Sequence, residues 1–233
     1  MASTVLFTVA VIAVIIALIV VSVFAAMAAA RITKSASYVT DTNAQSAHKS
    51  LTIAAAMGWV LVVVLIVVMI IGFFAGGFTT SEISDAILQK DRPTATEIAA
   101  ASKGEKQLSS GKGAQTIVLI LLIAASIVTL LVGSFAAHGA VNINKIATKD
   151  AAASSAYISS IIAAVVGLGT VGLLVVAVIS WIAIREARAS KIKELQEFEK
   201  KAPPPLPPRP AASTPPPLPP RPAATPEIAV TPT

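Results

Sequence analysis

Long uninterrupted apolar runs, rather than strand-like alternation or a one-sided helical stripe, organise this chain. Val5 to Ala30, Leu51 to Phe78, Ile117 to Ala140 and Ile161 to Ile184 each exceed the roughly 20 residues a helix needs to cross a hydrocarbon core, and none contains Asp, Glu, Lys or Arg. In lipid every backbone N–H and C=O must be satisfied within the spanning structure, so runs of this length without strict alternation predict closed helices. The expected fold is all-α: a polytopic membrane protein with four transmembrane helices. The first run ends in small residues, Ala28 and Ala30, as a cleaved signal peptide does. No Lys or Arg precedes it and it is too long for a signal, which predicts that it stays in place as a span.

The polar segments divide the rest. Residues 1–78 form a first transmembrane hairpin, 79–116 a connector, 117–184 a second hairpin, 185–202 a juxtamembrane helix and 203–233 a proline-rich tail, extended or disordered. Asp41 and Asp150 stand where N-caps are needed, each followed by helix-compatible sequence leading into a span. In the connector, Thr79 with Glu82 and Thr94 with Glu97 have capping-box spacing, predicting short helices over about 80–90 and 95–103, with Gly104, Gly111 and Gly113 loosening the return to the third span. Beyond the fourth span the chain stays helix-compatible, with Glu197 and Lys201 at i,i+4 spacing and Ile192, Leu195 and Phe198 on one side; Pro203 ends it.

The chain also repeats itself. Phe24, Ala25, Ala26, Ala29, Ile32 and Lys34 recur 111 residues later as Phe135, Ala136, Ala137, Ala140, Ile143 and Lys145. At an offset of 109, Asp41, Ala44, Ser46, Ala47, Ser50, Ile53, Ala54, Ala55 and Gly58 align with Asp150, Ala153, Ser155, Ala156, Ser159, Ile162, Ala163, Ala164 and Gly167. The shift of two falls in the short loops. We read two tandem copies of a helical hairpin. Each carries a small-residue ridge at spacing four: Ser46, Ser50, Ala54 and Gly58 in one, Ser155, Ser159, Ala163 and Gly167 in the other, with Gly72 and Gly76 extending the theme in the second span. Such ridges let helix backbones approach closely in lipid, which predicts helix packing and self-association through them.

The tail holds the most specific motif. Pro203 to Ala212 (PPPLPPRPAA) recurs residue for residue as Pro215 to Ala224. A polyproline II helix has three residues per turn, so Pro204 and Pro207 share one edge, with Leu206 beside it and Arg209 placed to reach an acidic pocket. Pro216, Leu218, Pro219 and Arg221 match them in the second copy. This resembles the PxxPxR ligand of SH3 domains, and the Pro-Pro-Leu-Pro core is similar to ligands of one group of WW domains. The resemblance covers about 20 residues of tail and implies a proline-recognising partner. A stiff polyproline spacer is the plainer alternative.

Composition and charge refine this picture. With 13% charged and 55% hydrophobic residues and a mean hydropathy of +0.79, water is not the main solvent. The net charge of +6 reflects Lys and Arg flanking the spans rather than a nucleic-acid surface. Thirteen of them fall on the face holding both termini and the connector, against five in the two short loops, so the positive-inside rule predicts cytoplasmic termini. Arg185, Arg188, Lys191 and Lys193 are candidates for anionic lipid headgroups.

There is no cysteine, and the two histidines, His48 in a loop and His138 at a span end, form no metal-ligand or nucleophile constellation. Tyr38 and Tyr157 read as interfacial or loop-packing residues. No enzyme activity, metal or cofactor is expected. The leading expectation is a membrane scaffold or adaptor whose tail binds an SH3-type, WW-type or structural partner. A rival is a structural protein of a virion, linking an inner membrane to a capsid in a large DNA virus. A small channel or transporter is a third reading, with Gly167 to Gly172 as the place where the fourth helix would break.

Overall fold

A helix that cannot hand its backbone groups to water keeps them paired, and each predicted apolar run is helical throughout its described length. The computed structural model describes residues 2–74, 95–146 and 148–200. In chain order the helices are α1 (Ala2–Ile32), α2 (Thr42–Phe74), α3 (Ala95–Ser110), α4 (Lys112–Asn144) and α5 (Ala151–Lys200), with a 3-10 turn over Ala36–Tyr38. α1, α2, α4 and α5 are long and apolar enough to cross a membrane. At 1.5 Å per residue the 31 residues of α1 and the 50 of α5 span about 46 and 75 Å. Both overshoot a core about 30 Å thick. The end of the second run, 75–78, lies outside the described residues.

Both predicted caps are made. Asp41 Oδ1 accepts from the Asn43 N–H at 2.7 Å, and Asp150 Oδ1 accepts from the Ala153 N–H at 2.8 Å. Each satisfies one of the orphan donors that open a helix. Because α2 starts directly after Asp41, His48 sits in that helix and not in a loop.

The four long helices form a ring in which α1 packs on α2 and α5, and α4 packs on α2 and α5. Its interior is built from small and branched residues, among them Ala25, Ala28, Ala54, Ala136, Ala163 and Ala177, with Leu18, Leu65, Leu122 and Leu174 between them. Its outside is equally apolar: Val60, Ile120, Val165 and Ile179 are 60–65% exposed. A bundle in water shows a polar outer face; one that is apolar all round has lipid as its solvent. Hydroxyls in the interior turn back on their own helices. Ser22 donates to Leu18 O at 2.7 Å, Thr129 to Ala125 O at 2.7 Å, Thr170 to Val166 O at 2.6 Å and Ser180 to Val176 O at 2.8 Å. Such back-bonding leaves no donor stranded in a low-dielectric core.

Two expectations are corrected here. α5 runs unbroken through Gly167, Gly169 and Gly172; without water to compete for its backbone bonds, a glycine-rich stretch has no incentive to open. α3 runs to Ser110, straight through Gly104, instead of stopping near 103. The reason is tertiary: Ala101 and Leu108 bury against Ile192, Leu195 and Phe198 of α5, and Gln196 Nε2 donates to Glu105 Oε1 at 2.7 Å. That packing outweighs the roughly 1 kcal/mol a helical glycine costs. The juxtamembrane segment is thus the continuation of α5, and this part of the connector docks on it. The helix expected over 80–90 and the capping residues Thr79, Glu82 and Thr94 lie outside the described residues.

Candidate functional site

The two ends of the bundle carry its polar chemistry. At the short-loop end, where α1 runs into α2 and α4 into α5, the hairpins are tied together. Arg31 Nη1 donates to Ser159 Oγ at 2.8 Å and to Ser155 O at 3.4 Å. Asn142 Nδ2 donates to Ser46 Oγ at 3.1 Å. Arg31 and Asn142 are 111 positions apart, and Ser46 and Ser155 are 109 apart, so donors and acceptors correspond across the two joints. The loops also meet: Asp150 Oδ2 accepts from the Ala36 N–H at 2.9 Å, and Ser37 Oγ donates to Thr148 O at 3.1 Å.

These bonds hold the Asp150 carboxyl below its usual value near 3.8, chiefly through the Ala153 N–H and next the Ala36 N–H; partial desolvation opposes them and a Ser35 hydrogen bond adds to them. Tyr38 lies edge-on to His48, with ring centroids 5.6 Å apart. The Ala29 carbonyl is 3.2 Å from His48 Nδ1. Tyr157 receives the Lys149 ammonium over its ring at 5.3 Å. Both tyrosines pack partly against the core, as loop-packing residues do.

Most described residues of the small-residue ridges are buried, namely Ser50, Ala54, Gly58 and Gly72 in α2 and Ser159, Ala163 and Gly167 in α5, whereas Ser46 and Ser155 at their outer ends are half-buried. Gly58 abuts the Ser22 side chain, while a Cβ on Gly167 would lie 3.0 Å from the Gly133 Cα. Gly139 in α4 likewise makes room for Leu51 of α2. The buried ridge residues are therefore packed against helices of the same chain. Gly76 lies outside the described residues. Gly169 and Gly172, which point away from the bundle, meet nothing within 4 Å.

At the opposite end, the start of α1, the start of α4 and the C-terminal half of α5 converge on Trp181. Its indole packs at a tilt against Phe7, with ring centroids 4.9 Å apart, and its Nε1 donates to Gln115 O at 3.0 Å. Sequence pattern alone does not single out this anchor; its only signal is an aromatic residue near the start of the first span and another near the end of the fourth. The four candidate headgroup cations differ sharply here. Arg188 is buried, Arg185 half-buried, Lys193 exposed, and Lys191 pairs with Glu194 at 3.3 Å.

Among the described residues no group of three or more His, Asp or Glu is placed to hold a metal ion. The partner-binding candidates Pro204, Leu206, Pro207, Arg209, Pro216, Leu218, Pro219 and Arg221 lie outside the described residues, as does Lys201 of the expected pair with Glu197. Compared with protein-family models, with curated proteins and with solved structures, the chain matches none.

Proposed function

We propose that this protein is a non-enzymatic membrane scaffold: a four-helix anchor, built from two copies of one hairpin, that displays a bivalent proline-rich ligand. The observation that carries the reading is the exact recurrence of PPPLPPRPAA beyond a bundle whose spans hold no Asp, Glu, Lys or Arg. Arg209 and Arg221 favour recognition over mere spacing, because a spacer does not require a cation after each PxxP core. Two cassettes twelve residues apart raise effective concentration when the partner offers two sites or clusters in the membrane plane.

The duplication is supported by the matching joints, Arg31 with Ser155 and Ser159 against Asn142 with Ser46. The glycine contacts agree, because Gly58 meets Ser22 and Gly167 meets Gly133, and 22 and 133 are again 111 apart. The charge distribution supports cytoplasmic termini under the positive-inside rule, the side on which SH3 and WW domains work. A channel or transporter reading draws no support from a bundle interior filled with Ala, Val and Leu side chains and self-bonded hydroxyls. The virion reading shares the same anchor and tail, and no described residue favours it.

The test is a pull-down with the full chain in detergent against a panel of SH3 and WW domains. Arg209→Ala with Arg221→Ala is expected to abolish capture while leaving the helical content of the anchor unchanged. Capture that survives the double change would reduce the tail to a spacer.

A further inference from the structure

Beside Trp181, on the same end of the bundle, α3, α4 and α5 enclose a cleft of about 430 Å³. Its polar side consists of Lys112, Gln115, Thr116, Arg185, Glu186 and Arg188, and Leu108, Ile182 and Ile192 supply apolar walls. The hydrogen bonding of this cleft is incomplete. Arg188 is only 7% exposed, yet Nε, Nη1 and Nη2 all lack a hydrogen-bond partner. Gln115, at 5% exposure, has an Nε2 in the same condition. A guanidinium cannot shed its proton to escape burial, so it needs an acceptor, and none is supplied among the described residues.

Glu186 lines the cleft but is exposed and accepts from none of these donors. The first turn of α4 adds to the deficit: Gly111 gives no side-chain cap, and the turn contains no acidic residue. The start of that helix therefore brings no negative charge to the cleft.

We propose that the cleft binds the phosphodiester headgroup of an anionic phospholipid drawn from the adjacent leaflet. The vacant donors are of the kind that clasp phosphate: a planar guanidinium fork and an amide. Lys112 and Arg185 bring the lining to three cations against one carboxylate. The membrane is the source because of where the cleft sits. The apolar run of α5 ends at Ile184 and Arg185 begins the polar continuation, which sets Arg188 one turn beyond the hydrocarbon boundary. Ile182 in the cleft wall is 40% exposed and continues through Ile179 onto the apolar outer face, giving acyl chains a surface to follow. Lys191 and Lys193 take no part: the first is paired with Glu194 and the second is exposed outside the lining. The site is thus narrower than a diffuse attraction by four cations.

The experiment uses the full chain in phosphatidylcholine nanodiscs with and without phosphatidylglycerol. It reads retained lipid by native mass spectrometry and the thermal midpoint by circular dichroism. The wild-type chain is expected to retain phosphatidylglycerol over phosphatidylcholine and to melt higher in its presence. Arg188→Met is expected to lower that retention about tenfold, the scale of one charge-assisted contact, and to erase the lipid-dependent rise. In phosphatidylcholine alone its midpoint should stay level or increase, because an uncompensated buried charge has gone. Lys193→Gln should behave as wild type.

Arg188→Lys keeps the charge but loses the fork; it carries the test if the methionine variant fails to fold, with a several-fold loss of retention expected. Equal retention of the two lipids by the wild type overturns the proposal, as does an equal loss in Arg188→Met and Lys193→Gln, which would mark diffuse surface charge. Inorganic phosphate raising the midpoint in phosphatidylcholine as much as phosphatidylglycerol does overturns the lipid as the source.

Discussion

Placing one methyl group where α4 and α5 touch tests the packing of the bundle directly. A Cβ on Gly167 would lie 3.0 Å from the Gly133 Cα and 3.5 Å from its nitrogen. Carbon atoms prefer about 3.5–4.0 Å, and the obstacle is backbone, which cannot rotate away. The two helices must therefore part by roughly half an ångström, and overpacking of this kind costs about 1–3 kcal/mol. Against it stands the gain of replacing a helical glycine by alanine, at most about 1 kcal/mol. Gly169, two residues on in the same helix, has nothing within 4 Å of its would-be Cβ and receives only the gain.

Gly169→Ala is accordingly expected to be neutral or stabilising by up to about 1 kcal/mol. Gly167→Ala should fall below it by about 1–3 kcal/mol. Gly133→Ala meets the backbone nitrogen of Leu168 at 3.0 Å and should behave like Gly167→Ala. Because one separation of the helices accommodates both methyl groups, the double variant should lose less than the sum of the singles, with coupling of about 0.5–3 kcal/mol. The assay is equilibrium unfolding by sodium dodecyl sulfate mole fraction, followed by circular dichroism. Identical shifts for Gly167→Ala and Gly169→Ala, or strict additivity of 133 and 167, would refute the close approach.

Two further outcomes follow from the ends of the bundle. The Asp150 carboxyl titrates lower in the folded chain than its usual value near 3.8, so its contribution is fully present above that value and disappears as pH falls through the folded pKa; Asp150→Asn, which keeps a competent N-cap, should flatten the acid limb of a stability–pH profile below about pH 4, and an unaltered limb would count against the two backbone contacts. Phe198→Ala removes a fully buried ring from the contact between α3 and α5, a loss of about 3 kcal/mol; hydrogen exchange should accelerate in 95–110 while the four spans stay protected, whereas exchange rising everywhere would mean that α3 does not dock separately.

The sequence by itself determined the number of apolar helices long enough to span a membrane, because a charge-free run longer than 20 residues admits one spanning structure in lipid. It also determined where α2 and α5 begin, since Asp41 and Asp150 cap by local geometry that needs no distant partner. Which faces meet was beyond it. When Val, Ile, Leu and Ala surround a helix, periodicity does not distinguish lipid from neighbour, so the ridge through Gly58 and Gly167 read equally well as a surface for a second copy. Only the closure of the ring assigned those glycines to Ser22 and Gly133 of the same chain.

The persistence of α3 through Gly104 and the continuity of α5 past Gly172 were likewise tertiary decisions, the first made by Phe198 and Leu195, the second by the absence of competing water. Of the candidate cations, composition recognised a basic flank but not that Arg188 is buried without an acceptor while Lys193 is exposed. That difference arises because a helix facing two others presents neighbouring positions to different surroundings, and three-dimensional packing alone decides which position faces which.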